Sequence, residues 1–350
     1  MKAFTWPERL MIRFNRIKAP PVLAVLALSL LLSSACNKTD GVSEFVLKAS
    51  SIITSNEAPF TNIDSLVTNE KYIFVSDIHH IKVFDRQGNY IRSIGEQGHA
   101  HGQFADEVIG LAINSRGELL AVDMQNQRVQ AFNAAGDFIR AFGKKGSQDG
   151  QFLQPQGIVT DQFDLIYVTD KVRSDVQVFS PNGEFLYRFG RKGNGNSELL
   201  EPESMAIHGE KLYIADEGNH RIQVFTPRGV YLDSLPGFGV LISAQLESSM
   251  DDIPYQTGYD SLYDRTREGD IEGIAFDNNN RLYFVDEDQN TIKVIEQGSV
   301  IATFTSVPGI KSADGIAFSA DYSALYVADQ GNNRVLVFKT TDIEDAIGKK

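Results

Sequence analysis

Six short apolar runs in this 350-residue chain share one slot, polar in five of them: the residue just before a glycine or serine. In chain order that slot holds Asp64, Ile109, Gln156, Glu203, Glu272 and Asp314, with Ser65 and Ser204 replacing the glycine in the first and fourth runs. Brought together, four carboxylates repel one another unless they are protonated or bridged by a cation. Calcium takes six to eight oxygen ligands. A ring of Asp64, Gln156, Glu203, Glu272 and Asp314, completed by water, is therefore a candidate calcium or ligand site. The alternative is a set of solvated side chains that simply turn other ligands away.

A second group lies in residues 240–270, which interrupt the regular spacing. Tyr255, Tyr259 and Tyr263 are evenly spaced there, with Asp251, Asp252, Asp260 and Asp264 among them. Tyrosine rings bury area while their hydroxyls bond polar groups, so Tyr255, Tyr259, Tyr263, Asp260 and Asp264 form a candidate sugar or peptide contact. Long loops on a rigid scaffold are where binding tends to sit. The histidines offer less. His99 and His101 could chelate as a pair, but no third ligand follows nearby, which argues against zinc. No nucleophile elbow, phosphate loop or cysteine-based site is present.

The elements that would position these groups are written six times. "YIADEGNHRIQVF" (213–225) reads as two strands and a tight turn, and its frame recurs in "LAVDMQNQRVQAF", "YVTDKVRSDVQVF", "YFVDEDQNTIKVI" and "YVADQGNNRVLVF", with "FVSDIHHIKVF" a shortened copy. Aligned on the shared aspartate (Asp77, Asp123, Asp170, Asp216, Asp286, Asp329), the copies lie 46, 47, 46, 70 and 43 residues apart. A period in the mid-forties suits one four-stranded propeller blade. An inner strand precedes each hairpin and a fourth strand follows it, after a turn glycine: Gly88, Gly136, Gly183, Gly229 and Gly298. Runs such as "YIA" and "YFV" are apolar on successive residues, so both sheet faces must be buried. One blade cannot do that for itself. A closed ring of blades can, and the expected fold is an all-β, six-bladed propeller of four-stranded blades. The last hairpin lacks a fourth strand, so Ser43–Ile53 is expected to supply it and close the ring. The repeated aspartate, alike in every blade, reads as structural, accepting backbone N–H groups of its turn. Arg128, Arg221 and Arg334, five residues on, are placed to face it.

"GQFLQPQGIVTD", "LIYVTD" and "YIADEGNHRIQVFTPRG" resemble the NHL repeat family in their order of Gly-Gln-Phe, Pro-x-Gly, hydrophobic-x-Asp and Arg-[Ile/Val]-x-Val-Phe. The resemblance spans roughly residues 43–340 and is most specific in blades two to four. It implies a six-bladed propeller without implying one activity, since such propellers include binding platforms, lyases and hydrolases. "SADGIAFSADYSALYVAD" also looks like part of the gluconolactonase-like propellers. That likeness implies a metal-binding role for Asp314, with Glu203 or Glu272 as partners, and raises a metal-dependent lactonase or esterase as the alternative function.

The first 36 residues differ in kind. Lys2, Arg9, Arg13, Arg16 and Lys18 precede the apolar run Pro21–Leu32, and "LLSSAC" ends on the chain's one cysteine. Twelve apolar residues are short for a membrane span and suit a secretory signal. "LLSSAC" resembles a bacterial lipobox, which implies cleavage before Cys36 and lipid on its thiol. The expected layout is a signal peptide at 1–35, a tether at 36–42, the propeller at 43–340 with an insertion at 240–270, and a tail at 341–350. Asn37 favours the outer membrane as the address. A formal charge of −13 and the lack of a basic stripe argue against nucleic acid. The leading expectation is a lipid-anchored envelope propeller that binds a protein, peptide or glycan through its loop-bearing acidic face.

Overall fold

The computed structural model of this chain describes residues 42–55, 57–236 and 270–348. Six sheets, each ordered from an inner to an outer strand, make up the fold, and the inner strands touch in cyclic order from blade one to blade six and back. The chain is a six-bladed β-propeller. Its inner strands are Ile63–Thr68, Val108–Ile113, Pro155–Thr160, Pro202–His208, Ile271–Phe276 and Ala313–Phe318.

The middle strands show why the ring must close. Leu119–Asp123, Ile166–Asp170, Asp175–Phe179 and Leu282–Asp286 are buried at every residue, on both faces of their sheets. Each face packs into a cluster shared with the neighbouring blade; Tyr167 of blade three, for example, packs with Leu212, Ile214 and Phe225 of blade four. The hairpin glycines Gly88, Gly136, Gly183, Gly229 and Gly298 all have φ between 80° and 94°, a conformation that only a residue without Cβ adopts cheaply.

Ring closure differs from expectation in one respect. Only Ser51–Ile53 pairs with the third strand of blade six, Arg334–Lys339, placing Ile52 opposite Leu336. The preceding strand, Ser43–Lys48, belongs instead to blade five, where it runs parallel to the outer strand Ser299–Val307. That outer strand has nine residues against five or six in the outer strands of blades one to four. A long edge leaves backbone groups unpaired, and a fifth strand covers them. Leu47 from this added strand is buried in one cluster with Phe304, Phe338 and Ile343.

Ile343 sits on the helix Thr340–Ile347, in the segment expected to be a tail. Arg281 of blade five holds that helix by pairing with Glu344 while also bonding Asp277, 2.6 Å away. Most of the interruption at 240–270 lies outside the described residues, as do Cys36, Tyr255, Tyr259, Asp260, Tyr263 and Asp264.

Candidate functional site: an acid-lined channel mouth

In blades one, three, four and six the repeated aspartate holds the connector that enters the inner strand. Asp77 accepts the N–H groups of Thr61 and Asn62 at 2.9 and 2.7 Å, and Asp170 those of Leu153 and Gln154 at 2.7 and 3.1 Å. Asp216 and Asp329 do the same for Leu200 and Lys311, each at 2.7 Å. These donors lie in the connector entering the inner strand; the expected turn contact is made as well in two blades, by the Arg173 N–H to Asp170 at 3.1 Å and the Gln289 N–H to Asp286 at 3.0 Å. The cations five residues on are in place: Arg128, Arg221 and Arg334 bring Nε within 2.7, 2.7 and 2.6 Å of their aspartates. All six aspartates are buried, so a charge partner or several N–H donors is what keeps them tolerable there.

Two residues into each inner strand comes the slot singled out above, and the glycine after it explains the tight ring. A Cβ on Gly110 would meet the carbonyl oxygen of Gln156 at 2.4 Å, and one on Gly157 would meet that of Glu203 at 2.4 Å. Gly273 stands in the same relation to Asp314, at 2.3 Å, and Gly315 to Asp64, at 2.6 Å. Glycine thus lets the backbone beside each slot lie against the slot of the next blade. Where blade four has serine instead, Ser204 Oγ donates to the Glu272 carbonyl oxygen.

The result is one channel of about 560 Å³ lined by Asp64, Ile109, Gln156, Glu203, Glu272 and Asp314 together. Two residues deeper, Leu66, Leu111, Ile158, Met205, Ile274 and Ile316 line an aliphatic throat. All five predicted metal or ligand residues therefore meet at one mouth, but they do not act alike. Glu203 is already engaged, by Gln156 Nε2 at 3.2 Å and by Lys171 Nζ at 2.5 Å. Lys171 also bonds Glu217 Oε2 at 2.8 Å. On the other side, oxygens of Glu272, Glu287 and Asp314 lie within 4.8 Å of one another. Asp314 Oδ2 is buried and has no hydrogen-bond partner.

Lys171, Glu217 and Glu287 were missed from the sequence, and they share an address. Each directly follows the repeated aspartate, a position filled in blades two to six by Met124, Lys171, Glu217, Glu287 and Gln330. The signal was present: an invariant residue followed by one whose chemistry changes from blade to blade. Glu107, just ahead of the blade-two inner strand, lines the mouth as well.

The crowding shows in the titration of these groups. Burial, then the charges of Asp314 and Glu203, raises the Asp64 carboxyl well above its ordinary value. Burial followed by Glu203 and Glu217 does the same to Glu272. Asp314 is pushed up to about 8 by burial first and by Glu287 and Glu203 next. Glu217 rises to about 7 by burial and Glu203, with Lys171 pulling the other way. The mouth thus stores protons that an incoming positive charge would displace.

The histidines do not converge. His99 Nδ1 pairs with Asn126 at 2.7 Å, whereas His101 stacks on Phe138 with ring centroids 4.6 Å apart.

A family model described as a 6-bladed beta-propeller matches residues 159–233. Among solved structures, a catalytically inactive virginiamycin B lyase from Staphylococcus aureus with quinupristin superposes with a TM-score of 0.54 at 14% identity, covering 83% of this chain and 87% of that one. A streptogramin B lyase gives the same TM-score and identity over 83% and 86%. At that identity the likeness carries the fold and nothing further. No curated protein sequence matches the chain.

Proposed function

We propose that this chain is an NHL-type, lipid-anchored protein of the bacterial cell envelope, most simply of the outer membrane. In this reading its acidic mouth binds a positively charged group on a protein, peptide or glycan partner, directly or through calcium. One observation carries the reading: Asp64, Glu203, Glu272 and Asp314 line one opening, Glu287 stands beside Glu272 and Asp314, and Lys171 answers only Glu203 and the neighbouring Glu217 among these acids. With the Asp64, Glu272 and Asp314 carboxyls biased towards their neutral forms, a cation that displaced their protons would gain a cluster of oxygen ligands. The interrupting segment leaves after Pro236 and returns at Asp270, two residues before Glu272, so the tyrosines at 255, 259 and 263 belong to a connection that returns at this mouth. The leader and "LLSSAC" support the anchor.

Pull-down from native envelope, comparing wild type with a Glu272→Gln, Asp314→Asn double variant, tests the binding role. A partner that wild type retains and the variant loses supports it. Equal capture by both would remove the mouth from the account.

A second reading has its own support. The Glu272, Glu287 and Asp314 oxygens lie within 4.8 Å of one another, close enough to share one divalent cation, and the unpartnered Asp314 Oδ2 has a lone pair to offer. A metal held there could activate water for a lactonase or esterase reaction. A lactone and ester screen with calcium, repeated on the double variant, separates this enzyme from a binding protein.

A further inference from the structure

The turn joining the first and second strands takes one form in four blades, and blade six fills it differently. In blades two, three, five and six it closes with a backbone N–H, of Gly117, Asp164, Asn280 or Tyr322, donated to the carbonyl oxygen three residues earlier. All four residues are left-handed, with φ of 74°, 60°, 63° and 56°. Glycine, aspartate and asparagine suit that conformation, whereas a bulky tyrosine strains it. Such strain persists where something other than folding requires the side chain. Tyr322 is 39% exposed and borders a cavity of about 280 Å³. These turns follow the inner strands, so the cavity lies on the face opposite the acidic mouth. One wall is aromatic: the Tyr322 ring stands 6.0 Å from Phe318, which meets buried Tyr283 edge-on at 5.0 Å between centroids. The other wall is polar, with Asn278 from blade five and Thr341 and Asp345 from the C-terminal helix, whose side chains bond no other described residue. Both walls are held from behind. Asp321, beside the tyrosine, accepts from Arg86 at 2.6 Å and from the Ser319 and Ser323 hydroxyls at 2.7 and 2.8 Å. Arg281 Nη1 and Asn279 Nδ2 fix Glu344 of the helix, each at 3.0 Å.

We propose that this cavity is a second binding site, independent of the acidic mouth, for a neutral pyranose sugar. The lining selects among ligands. Among the described residues no lysine or arginine lines it, so nothing there answers an anion. Of its three acids, Asp277 and Glu344 are paired with Arg281 and only Asp345 is left to attract a cation. A wholly apolar ligand would strip water from Asn278, Thr341 and Asp345 without replacing it. A sugar ring meets both walls: its C–H face buries area against Tyr322 and Phe318, and its hydroxyls pair with the amide, hydroxyl and carboxylate opposite. The volume, just under the usual lower bound of about 300 Å³ for ligand pockets, suits one ring rather than an extended chain. Walls fixed before binding reduce the ordering cost of taking it up.

Saturation-transfer NMR on the purified protein tests this, with the methyl glycosides of glucose, galactose, mannose and N-acetylglucosamine as probes. At least one should take up saturation on its ring C–H protons, and Tyr322→Asn should weaken its affinity at least ten-fold. The same variant should melt at or above the wild-type temperature, because asparagine relieves the left-handed strain and is the residue blade five uses there. Asn278→Ala, in an exposed turn, should weaken the same signal several-fold with an unchanged melt, and covers any failure of Tyr322→Asn to fold. The Glu272→Gln, Asp314→Asn double variant should bind the sugar as wild type does, so this site and the mouth stand or fall separately. No transfer to any probe, transfer that survives both Tyr322→Asn and Asn278→Ala, or transfer lost in the mouth variant would overturn the site.

Discussion

Lys171 Nζ lies 2.5 Å from Glu203 Oε1, so the mouth carries a tethered cation of its own on one side. The same ammonium reaches Glu217, and the two carboxylates in turn hold the lysine protonated far above the ordinary range. Facing them, Glu272, Glu287 and Asp314 form a similar group with no lysine among them. The asymmetry suggests where an external positive charge should go.

Replacing the built-in cation should open a second place for an external one. In Lys171→Gln, Glu203 and Glu217 lose their partner, and stability should fall by roughly 1–3 kcal/mol in chelator. Calcium should then restore more stability than it adds to wild type, because binding to the native state alone stabilises it. Thermal melts of both proteins with calcium and with chelator read this directly. An equal calcium shift in the two would contradict it.

Acidity gives a signed prediction for Asp314. Its carboxyl titrates near 3.8 when unfolded and at about 8 in the fold. A group raised on folding supports stability below the lower value and withdraws that support as pH climbs to the higher one. Asp314→Asn should match wild type near pH 4 and exceed it by several kcal/mol, on the order of 5, at pH 8, in chelator. Urea denaturation across that range measures the difference. A pH-independent gap would show that Asp314 is not the titrating group.

The two N-terminal strands should be separable. Ile53 is 4% exposed on the strand that completes blade six, and Ile53→Ala should cost about 2–4 kcal/mol. Removing residues 36–48 instead takes away an added fifth strand and leaves all six blades four-stranded. That truncation should melt earlier, through loss of Leu47, but in one transition with native near-ultraviolet circular dichroism. A truncated chain that fails to form the native ring would make the fifth strand part of closure.

The repeated aspartate should behave as scaffold. Asp216 is fully buried and receives Arg221 Nε at 2.7 Å, Gln223 Nε2 at 2.8 Å and the Leu200 N–H at 2.7 Å. Asp216→Ala removes the acceptor from these donors and from Asn219 Nδ2, at a cost of about 3–5 kcal/mol in chemical denaturation. Asp216→Asn keeps acceptor capacity and should cost less. Similar losses for the two would mean that charge, rather than hydrogen bonding, is what the site requires.

Much of this was legible because repetition amplifies weak local signals. Six copies of one hairpin revealed the period, and successive apolar residues required two buried faces. The slot before the glycine stood out because its neighbour never varies by more than Gly or Ser. Two kinds of information were not legible. Strand partnership at a sheet edge depends on relative lengths: Ser43–Lys48 has the pattern of any edge strand, and only the nine-residue outer strand of blade five selects its place. The roles of Lys171, Glu217 and Glu287 were hidden by a neighbour, since each follows an aspartate whose regularity marks the whole hairpin as scaffold. Whether such a residue points into the channel depends on how the turn after the aspartate leaves the strand. That is a property of backbone angles, which the residue type does not report.

Calorimetric titration at pH 7 addresses the central claim, that this mouth takes up positive charge at the expense of its own protons. Calcium and a short oligolysine peptide would each be titrated in two buffers of different ionisation enthalpy. Saturable binding of at least one probe is expected, with heats that differ between buffers because protons leave as the charge enters, and with loss of that binding in the Glu272→Gln, Asp314→Asn variant. No saturable heat with either probe, or binding that survives both substitutions without proton release, would contradict the account.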